Sequence, residues 1–367
     1  MTGLLAVILL LLFLAGVRGL GNGFKLFGSE LLDGFFAATA NPLVALMVGI
    51  LATTLVQSSS VSTSMIVGLV AAPDNPLPIA NAVPMVMGAN IGTTVTNTLV
   101  ALVHMARRDE FKRAFAVATC HDFFNYLAVL VMLPLELATG FLSKTAAAIA
   151  SNVSGSGGLE YGNPLKSLLN IILIPIDSIA GAMTTAGSPA QGGVVAVLSV
   201  MLIIFSLLSL VRTLRSALQQ QVATKIEKVV GRSALVGIAI GAAVTMMVQS
   251  SSITTSLLVP LAGAGLLTLR QAFPITLGAN IGTTLTALLA TLAVTGPNAQ
   301  LGVTIALVHT LFNVTGTVVI YGVAPIRGIP IWAAERLADV ASKSRYLAIT
   351  YVVVLFYGIP ALFAWLN

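Results

Sequence analysis

Apolar residues run along this chain in long unbroken stretches, such as 194–208, with no alternation of polar positions. Such runs predict helices surrounded by apolar material and exclude the period-two pattern of membrane strands. A spanning helix needs about 20 apolar residues, and the stretches at roughly 115–137, 192–211 and 346–366 reach that length. The first 17 residues are also apolar. They lack a basic start and a small-residue cleavage site before Arg18, so they read as a retained first helix rather than a signal peptide. Four stretches are too short to span: 42–55 and 61–72 flank Gln57-Ser58-Ser59-Ser60, and 235–248 and 253–267 flank Gln249-Ser250-Ser251-Ser252. Each pair predicts a re-entrant hairpin with its polar tip at mid-membrane, in a cavity or buried in protein, because consecutive polar groups cannot be satisfied by lipid.

The two tips belong to a duplicated order of motifs. Gly88-Ala89-Asn90-Ile91-Gly92-Thr93-Thr94 recurs unchanged from Gly278 to Thr284, and His121, Phe124 and Asn125 recur as His309, Phe312 and Asn313. The Gly-Ala-Asn segments read as breaks in the helices that follow the hairpins, where glycine lets the backbone unwind and frees carbonyls for a cation. Their plainer reading is close helix packing by small residues four apart. The basic connectors 107–113 and 212–232 both favour the cytoplasm. With segment 168–183, which holds Pro175 and Asp177, taken as peripheral or re-entrant, that parity makes the units inverted repeats, as in many secondary transporters. The predicted organisation is an all-α polytopic membrane protein: an N-terminal helix (1–33), repeat 1 (34–139), an outer loop, connecting helix and cytoplasmic linker (140–233), repeat 2 (234–325) and C-terminal helices (326–367).

Composition agrees. Of 367 residues 57% are hydrophobic and only 8% charged, with mean hydropathy +1.00, far below the roughly 25% charge of a soluble domain. The net charge of +6 lies mostly in short connectors, which argues against nucleic acid as a partner. Cys120 is the single cysteine, so no intramolecular disulfide forms.

The candidate chemistry is that of an anion held with cations. Hydroxyls and helix-start amides at Gln57, Ser58, Ser59, Ser60, Gln249, Ser250, Ser251 and Ser252 suit an oxyanion. The oxygens of Gln57, Ser60, Thr63, Asn90, Thr93, Gln249, Ser252, Asn280 and Thr283 suit a hard cation such as sodium. No Lys or Arg occurs between Gly34 and Ala72 or between Ser233 and Leu269, so something other than a basic side chain must neutralise the anion, and co-bound cations are the obvious candidate. The serines alternatively bond back to their own helices, and His121 and His309 read as interhelical hydrogen-bond partners rather than proton carriers. Asp122 is the only acidic residue within 115–135 and a functional candidate by default; its alternative is an ion pair with Arg113. Asn152-Val153-Ser154 is a formal glycosylation sequon. The rivals are a carrier of another anion such as sulfate or a dicarboxylate, a membrane phosphatase using Ser, His121 and Asp122, and a passive channel. In the phosphatase, the adjacency of His121 and Asp122 on one helix makes a poor relay.

These residues resemble the type II sodium-dependent inorganic phosphate cotransporters, over about 41–356. The resemblance rests on both Gln-Ser-Ser-Ser hairpins, both Gly-Ala-Asn-Ile-Gly-Thr segments, Arg113-Ala114-Phe115, His121-Asp122-Phe123-Phe124-Asn125, Leu133-Pro134-Leu135-Glu136 and the link Gln221-Val222-Ala223-Thr224. It implies symport of inorganic phosphate, mainly divalent, with sodium as the co-transported ion, by a transporter and not an enzyme. It implies phosphate and sodium sites at the two hairpin motifs, with Thr254, Thr255 and Ser256 helping in the second, and an additional sodium ion at Asp122, which marks electrogenic members. Against the animal carriers, the large disulfide-bonded outer loop is expected to be reduced here to a short stretch without paired cysteines, and the long tails to be absent. The compact form implies a bacterial inner-membrane protein; the further expected partners are the lipid bilayer and, as one option for the oligomeric state, a homodimer mate.

Overall fold

A chain whose peptide groups must pair within lipid has helix as its natural form, and the described residues follow that rule. The computed structural model describes residues 2–26, 29–155, 164–227 and 233–366, and no strand occurs among them. In chain order the helices are α1 (Thr2–Leu26), α2 (Ser29–Thr39), α3 (Pro42–Val56), α4 (Ser59–Val70), α5 (Ile79–Gly92), α6 (Val95–Leu102), α7 (Arg108–Thr139), α8 (Phe141–Gly155), α9 (Pro164–Met183) and α10 (Pro189–Glu227). They continue as α11 (Ala234–Val248), α12 (Ser251–Gly263), α13 (Leu269–Ala290), α14 (Ala299–Gly316), α15 (Ala324–Ala341), α16 (Arg345–Val352) and α17 (Ile359–Leu366). A π-helical turn extends α14 over Thr317–Tyr321, and another joins α16 to α17 over Val353–Gly358.

Among the described residues, Gly3–Leu26, Arg108–Thr139, Pro189–Leu214, Leu269–Ala293, Ala299–Tyr321 and Tyr346–Leu366 are long and apolar enough to cross a membrane. The polarity of the bundle is the reverse of a soluble protein. Val197, Met201 and Phe205, one turn apart on one face of α10, are each 60% exposed, while Asn90, His121, Asp122, Asn125, His309 and Asn313 are buried. This is an all-α, multi-pass membrane protein.

The hairpin arms form where the polar breaks direct. Asn41 caps α3 by accepting from the Leu43 amide at 3.0 Å, with Pro42 in the first turn. α3 ends at Gln57, whose φ of 55° is left-handed, and Ser58 then turns extended to cap α4. The second copy repeats this, with Gln249 at φ 57° and Ser250 capping α12. The unit α3–α4–α5 thus recurs as α11–α12–α13. α3 packs along α5 as α11 packs along α13, and the units exchange partners: α8 lies on α14 and α15 lies on α7. α4 ends beside α14, where Asn298 Nδ2 donates to the Ala72 carbonyl at 2.6 Å. α12 ends beside α7, where Arg113 donates to the carbonyls of Ala262 and Gly263.

Three expectations need correction. The second Gly-Ala-Asn segment is no break: α13 runs unbroken through it. The first interrupts α5 and α6 only at Thr93 and Thr94, both still near helical dihedrals. The glycines serve contact instead of unwinding. A Cβ on Gly88 would stand 2.1 Å from the Leu46 carbonyl oxygen, and one on Gly278 would stand 2.0 Å from that of Ile238, so the plainer packing reading holds. Second, the connector 212–232 is not a loop, because α10 continues to Glu227; 228–232 lie outside the described residues. Third, the outer loop contains α8. Segment 168–183 lies within the single helix α9, which packs on α1 and α10 without reversing and so is not re-entrant. Part of that outer loop, 156–163, lies outside the described residues.

Gly278→Ala is expected to force α11 and α13 apart, because the atom in the way is backbone and cannot rotate aside. The loss should be about 1–3 kcal/mol or more, read as a lower unfolding temperature in detergent and a smaller monodisperse fraction. Gly322→Ala, where the added Cβ meets nothing within 4 Å, is the control.

Candidate functional site

The two Gln-Ser-Ser-Ser motifs divide their labour residue by residue. Gln57 and Gln249 supply the left-handed reversal, a conformation that costs a non-glycine residue roughly 1–2 kcal/mol. Ser58 Oγ accepts from the Val61 amide and Ser250 Oγ from the Ile253 amide, each at 3.4 Å. These serines are therefore helix caps. The next two serines open α4 and α12, where first-turn amides have no acceptor within their own helix.

Each tip reaches across to the other repeat. Ser60 Oγ on α4 lies 3.1 Å from Thr283 Oγ1 on α13, and Ser252 Oγ on α12 lies 3.4 Å from Thr93 Oγ1. The arrangement therefore brings together Ser60, Thr283, Thr93 and Ser252 as two equivalent pairs from four predicted positions. Thr63 and Thr255 also bond back to the carbonyls of Ser59 and Ser251, at 2.7 and 2.8 Å, the plainer reading entertained for these polar runs.

Beneath the tips lies a buried ladder of amides and imidazoles. His121 Nε2 meets Asn280 Oδ1 at 2.7 Å, and Asn280 Nδ2 donates to Asn125 Oδ1 at 2.9 Å. Asn125 Nδ2 donates in turn to the Asn90 carbonyl at 2.6 Å. The mirrored contacts are longer: His309 Nε2 lies 3.4 Å from Asn90 Oδ1, and Asn313 Nδ2 donates to the same oxygen at 3.0 Å. Asn97 Nδ2 lies 3.2 Å from His121 Nδ1, while Asn97 Oδ1 accepts from Thr255 at 2.8 Å and Ser256 at 3.1 Å. With that oxygen occupied, the Asn97 amide is the donor. His121 then carries its proton on Nε2, a tautomer assigned from the network. Both histidines thus join helices, as expected.

The tips are not equivalent in every respect. Gln249 is buried, its Oε1 accepting from Thr286 at 2.9 Å, whereas Gln57 is exposed. Thr96, which occupies the position of Thr286 in the first repeat, has a buried hydroxyl without a partner. Thr254 pairs with Thr245 at 2.8 Å.

Asp122 stands apart from the tips. It is fully buried, and its Oδ2 accepts from Tyr351 at 2.8 Å and Thr98 at 3.3 Å, while Oδ1 has no donor of its own and the Thr94 hydroxyl stands beside the carboxylate. Arg113 does not pair with it, being engaged by the end of α12. His121 does not touch it either, because both ring nitrogens are met by asparagines. A Ser-His-Asp relay therefore lacks its orienting contact. No cluster of three His, Cys, Asp or Glu occurs among the described residues. The donors are hydroxyls, amides and one carboxylate, a hard-oxygen set that suits an alkali cation and not a transition metal.

Sequence reasoning left Asn97, Thr98, Thr286 and Tyr351 out of the candidate set. Asn97 and Thr98 sit in the polar run after Gly92, but the repeat gave no hint of them, since Ala287 and Leu288 occupy their places in the second copy. Nothing in the apolar run 346–366 marks Tyr351.

The fold and site together define a polytopic α-helical membrane protein whose buried polar centre is built from two copies of one unit. The Na+/Pi-cotransporter family model matches residues 12–151 and 202–327, and the chain belongs to that family. It is 36% identical to sodium-dependent phosphate transport protein 2A of Rattus norvegicus, over 96% of this chain and 66% of that protein. It is 34% identical to sodium-dependent phosphate transport protein 2B of Homo sapiens, over 95% of this chain and 62% of that protein. The chain thus spans less than two thirds of the length of these curated relatives. No solved structure matches.

Proposed function

We propose that this chain is a secondary active transporter that carries inorganic phosphate, mainly the divalent anion, into the cell with sodium. The observation that carries this reading is the pair of crossed hydroxyl contacts, Ser60 with Thr283 and Ser252 with Thr93, at two helix starts with no basic side chain in either hairpin. Two such starts offer amides and partial positive charge to an oxyanion. They do not offset its full charge, so co-bound cations must, and that requirement couples the two fluxes. Family membership and the names of the curated relatives support the same cargo.

In this reading Gln57, Ser58, Ser59, Ser60, Gln249, Ser250, Ser251 and Ser252 receive phosphate, the caps Ser58 and Ser250 mainly by shaping the tips. Ser60, Thr63, Asn90, Thr93, Ser252, Thr254, Thr255, Ser256, Asn280 and Thr283 supply oxygens for sodium together with the two glutamines, and Asp122 takes an additional ion. The units 34–139 and 234–325 are inverted repeats, one hairpin opening to each side. Support comes from the exchange of partners between the units, with α4 ending beside the start of α14 while α12 ends beside the start of α7. The exchange of α8 and α15 extends each repeat by one helix beyond the predicted bounds. The location is a bacterial inner membrane, and the chain is not an enzyme.

Purified chain in proteoliposomes should accumulate labelled phosphate above equilibrium only under an inward sodium gradient. Equal uptake with potassium, or uptake that never exceeds equilibrium, rejects the reading. Stronger inhibition by sulfate or a dicarboxylate than by unlabelled phosphate would reassign the anion while keeping the sodium coupling.

A further inference from the structure

The first helix after the two repeats carries a side chain that neither repeat supplies to itself. Tyr351 lies on α16, beyond the last residue matched by the family model, and its hydroxyl donates to Asp122 Oδ2 at 2.8 Å. The ring is held edge-on between Phe115 and Phe356, with centroids 6.2 Å away on both sides, so the phenol has little freedom to leave the carboxylate. Thr98, on α6, donates to the same oxygen. Both donors therefore converge on Oδ2, whereas Oδ1 is buried without a donor of its own, beside a Thr94 hydroxyl that donates to the Ile91 carbonyl at 2.9 Å. One turn further along α7, Tyr126 also presents a buried hydroxyl without a partner. A carboxylate with one oxygen clamped by two donors and the other beside a hydroxyl whose proton is engaged elsewhere has a fixed direction in which to meet a cation.

We propose that Tyr351 is a positioning residue for Asp122: its phenol, with Thr98, holds one carboxylate oxygen so that the other faces the sodium ion, and sodium affinity thereby depends on the C-terminal helix. The inference rests on the reading of Asp122 as a cation ligand in a sodium-coupled carrier. The duplicated sequence could not show it, because Thr310 and Leu288 stand at the places of Asp122 and Thr98 in the second repeat. The clamp is a one-copy feature that makes the two halves chemically unequal, and it joins a helix outside the repeats to an ion site inside one.

The test is a double-mutant cycle in proteoliposomes of the full chain, reading the sodium concentration for half-maximal phosphate uptake. Tyr351→Phe keeps the ring between its two phenylalanine neighbours and removes only the donor. It should raise that concentration about tenfold, the equivalent of roughly 1.4 kcal/mol. In an Asp122→Gly background the same substitution should shift it less than about twofold. Tyr346→Phe, an exposed position on the same helix, should leave it in place. An unchanged sodium requirement for Tyr351→Phe would overturn the proposal. So would an equal shift with and without Asp122, because the tyrosine would then act through packing. Uptake by the unsubstituted chain that ignores sodium would overturn the transport reading and this proposal together, whereas sodium-dependent uptake with no Tyr351→Phe shift overturns this proposal alone.

Discussion

Asn280→Ala is expected to unfold the polar centre and reduce sodium-driven phosphate uptake to background. Asn280, on α13, is the rung that ties that helix to α7 at two points: Oδ1 accepts from His121, and Nδ2 donates to Asn125. Truncation leaves the imidazole N–H and the Asn125 carbonyl oxygen buried without partners. Each such orphan costs about 1–3 kcal/mol, so the pair costs roughly 2–6 kcal/mol against a total stability on the order of 5–15 kcal/mol. Asn90→Ala, at the matching position of the first repeat, should cost less. The contact it loses from His309 is already long at 3.4 Å, and Asn313 Nδ2 keeps a second acceptor in the His309 carbonyl at 3.0 Å. Unfolding midpoints in detergent and initial uptake rates for the two variants give the comparison. Equal effects would mean that the centre is energetically symmetric despite its unequal distances.

That inequality marks the limit of what the sequence could convey. Polar groups between half-length apolar arms marked where the helices break, and the breaks fall there; that the reversal itself sits at Gln57 and Gln249 was not legible, since nothing local separates the glutamine from the serines that follow it. The duplicated His and Asn positions were legible too, and the ladder uses all of them. The Gly-Ala-Asn segments misled because glycine has two uses, unwinding and close approach, and local sequence does not distinguish them. The partner backbone does, at Leu46 and Ile238. Tyr351 was invisible for a different reason. Its role depends on where a helix distant in sequence docks, and an apolar stretch leaves no periodic trace of one polar atom at its inner face.

The crossed contacts also explain why each repeat alone makes half a site. Ser60 meets a threonine of the other unit, as does Ser252, and Thr255 and Ser256 of the second hairpin meet Asn97 of the first repeat. A shift of either hairpin therefore changes hydrogen bonds on both copies at once. The difference between exposed Gln57 and buried Gln249 shows that the two tips need not adopt the same state.

Replacing Asp122 by glycine should abolish the response of transport to membrane potential while leaving sodium-dependent phosphate uptake detectable. If one net positive charge crosses per cycle, 100 mV negative inside supplies about 2.3 kcal/mol, raising the attainable phosphate gradient up to roughly 50-fold. With the carboxylate gone, its cation has no counter-charge, and accumulation should not change with a potassium diffusion potential. Glycine also weakens α7, by about 1 kcal/mol in a helix interior. Asp122→Asn separates the two effects, because it keeps an oxygen for Tyr351 and Thr98 and restores helix propensity while removing the charge. Folding should tolerate either change, since an unpaired buried carboxylate is costly in the parent. The two variants should therefore share the loss of potential dependence and differ only in stability. If both still accumulate phosphate in proportion to the imposed potential, Asp122 is no ligand of a moving cation, and the clamp built by Tyr351 and Thr98 serves helix docking instead.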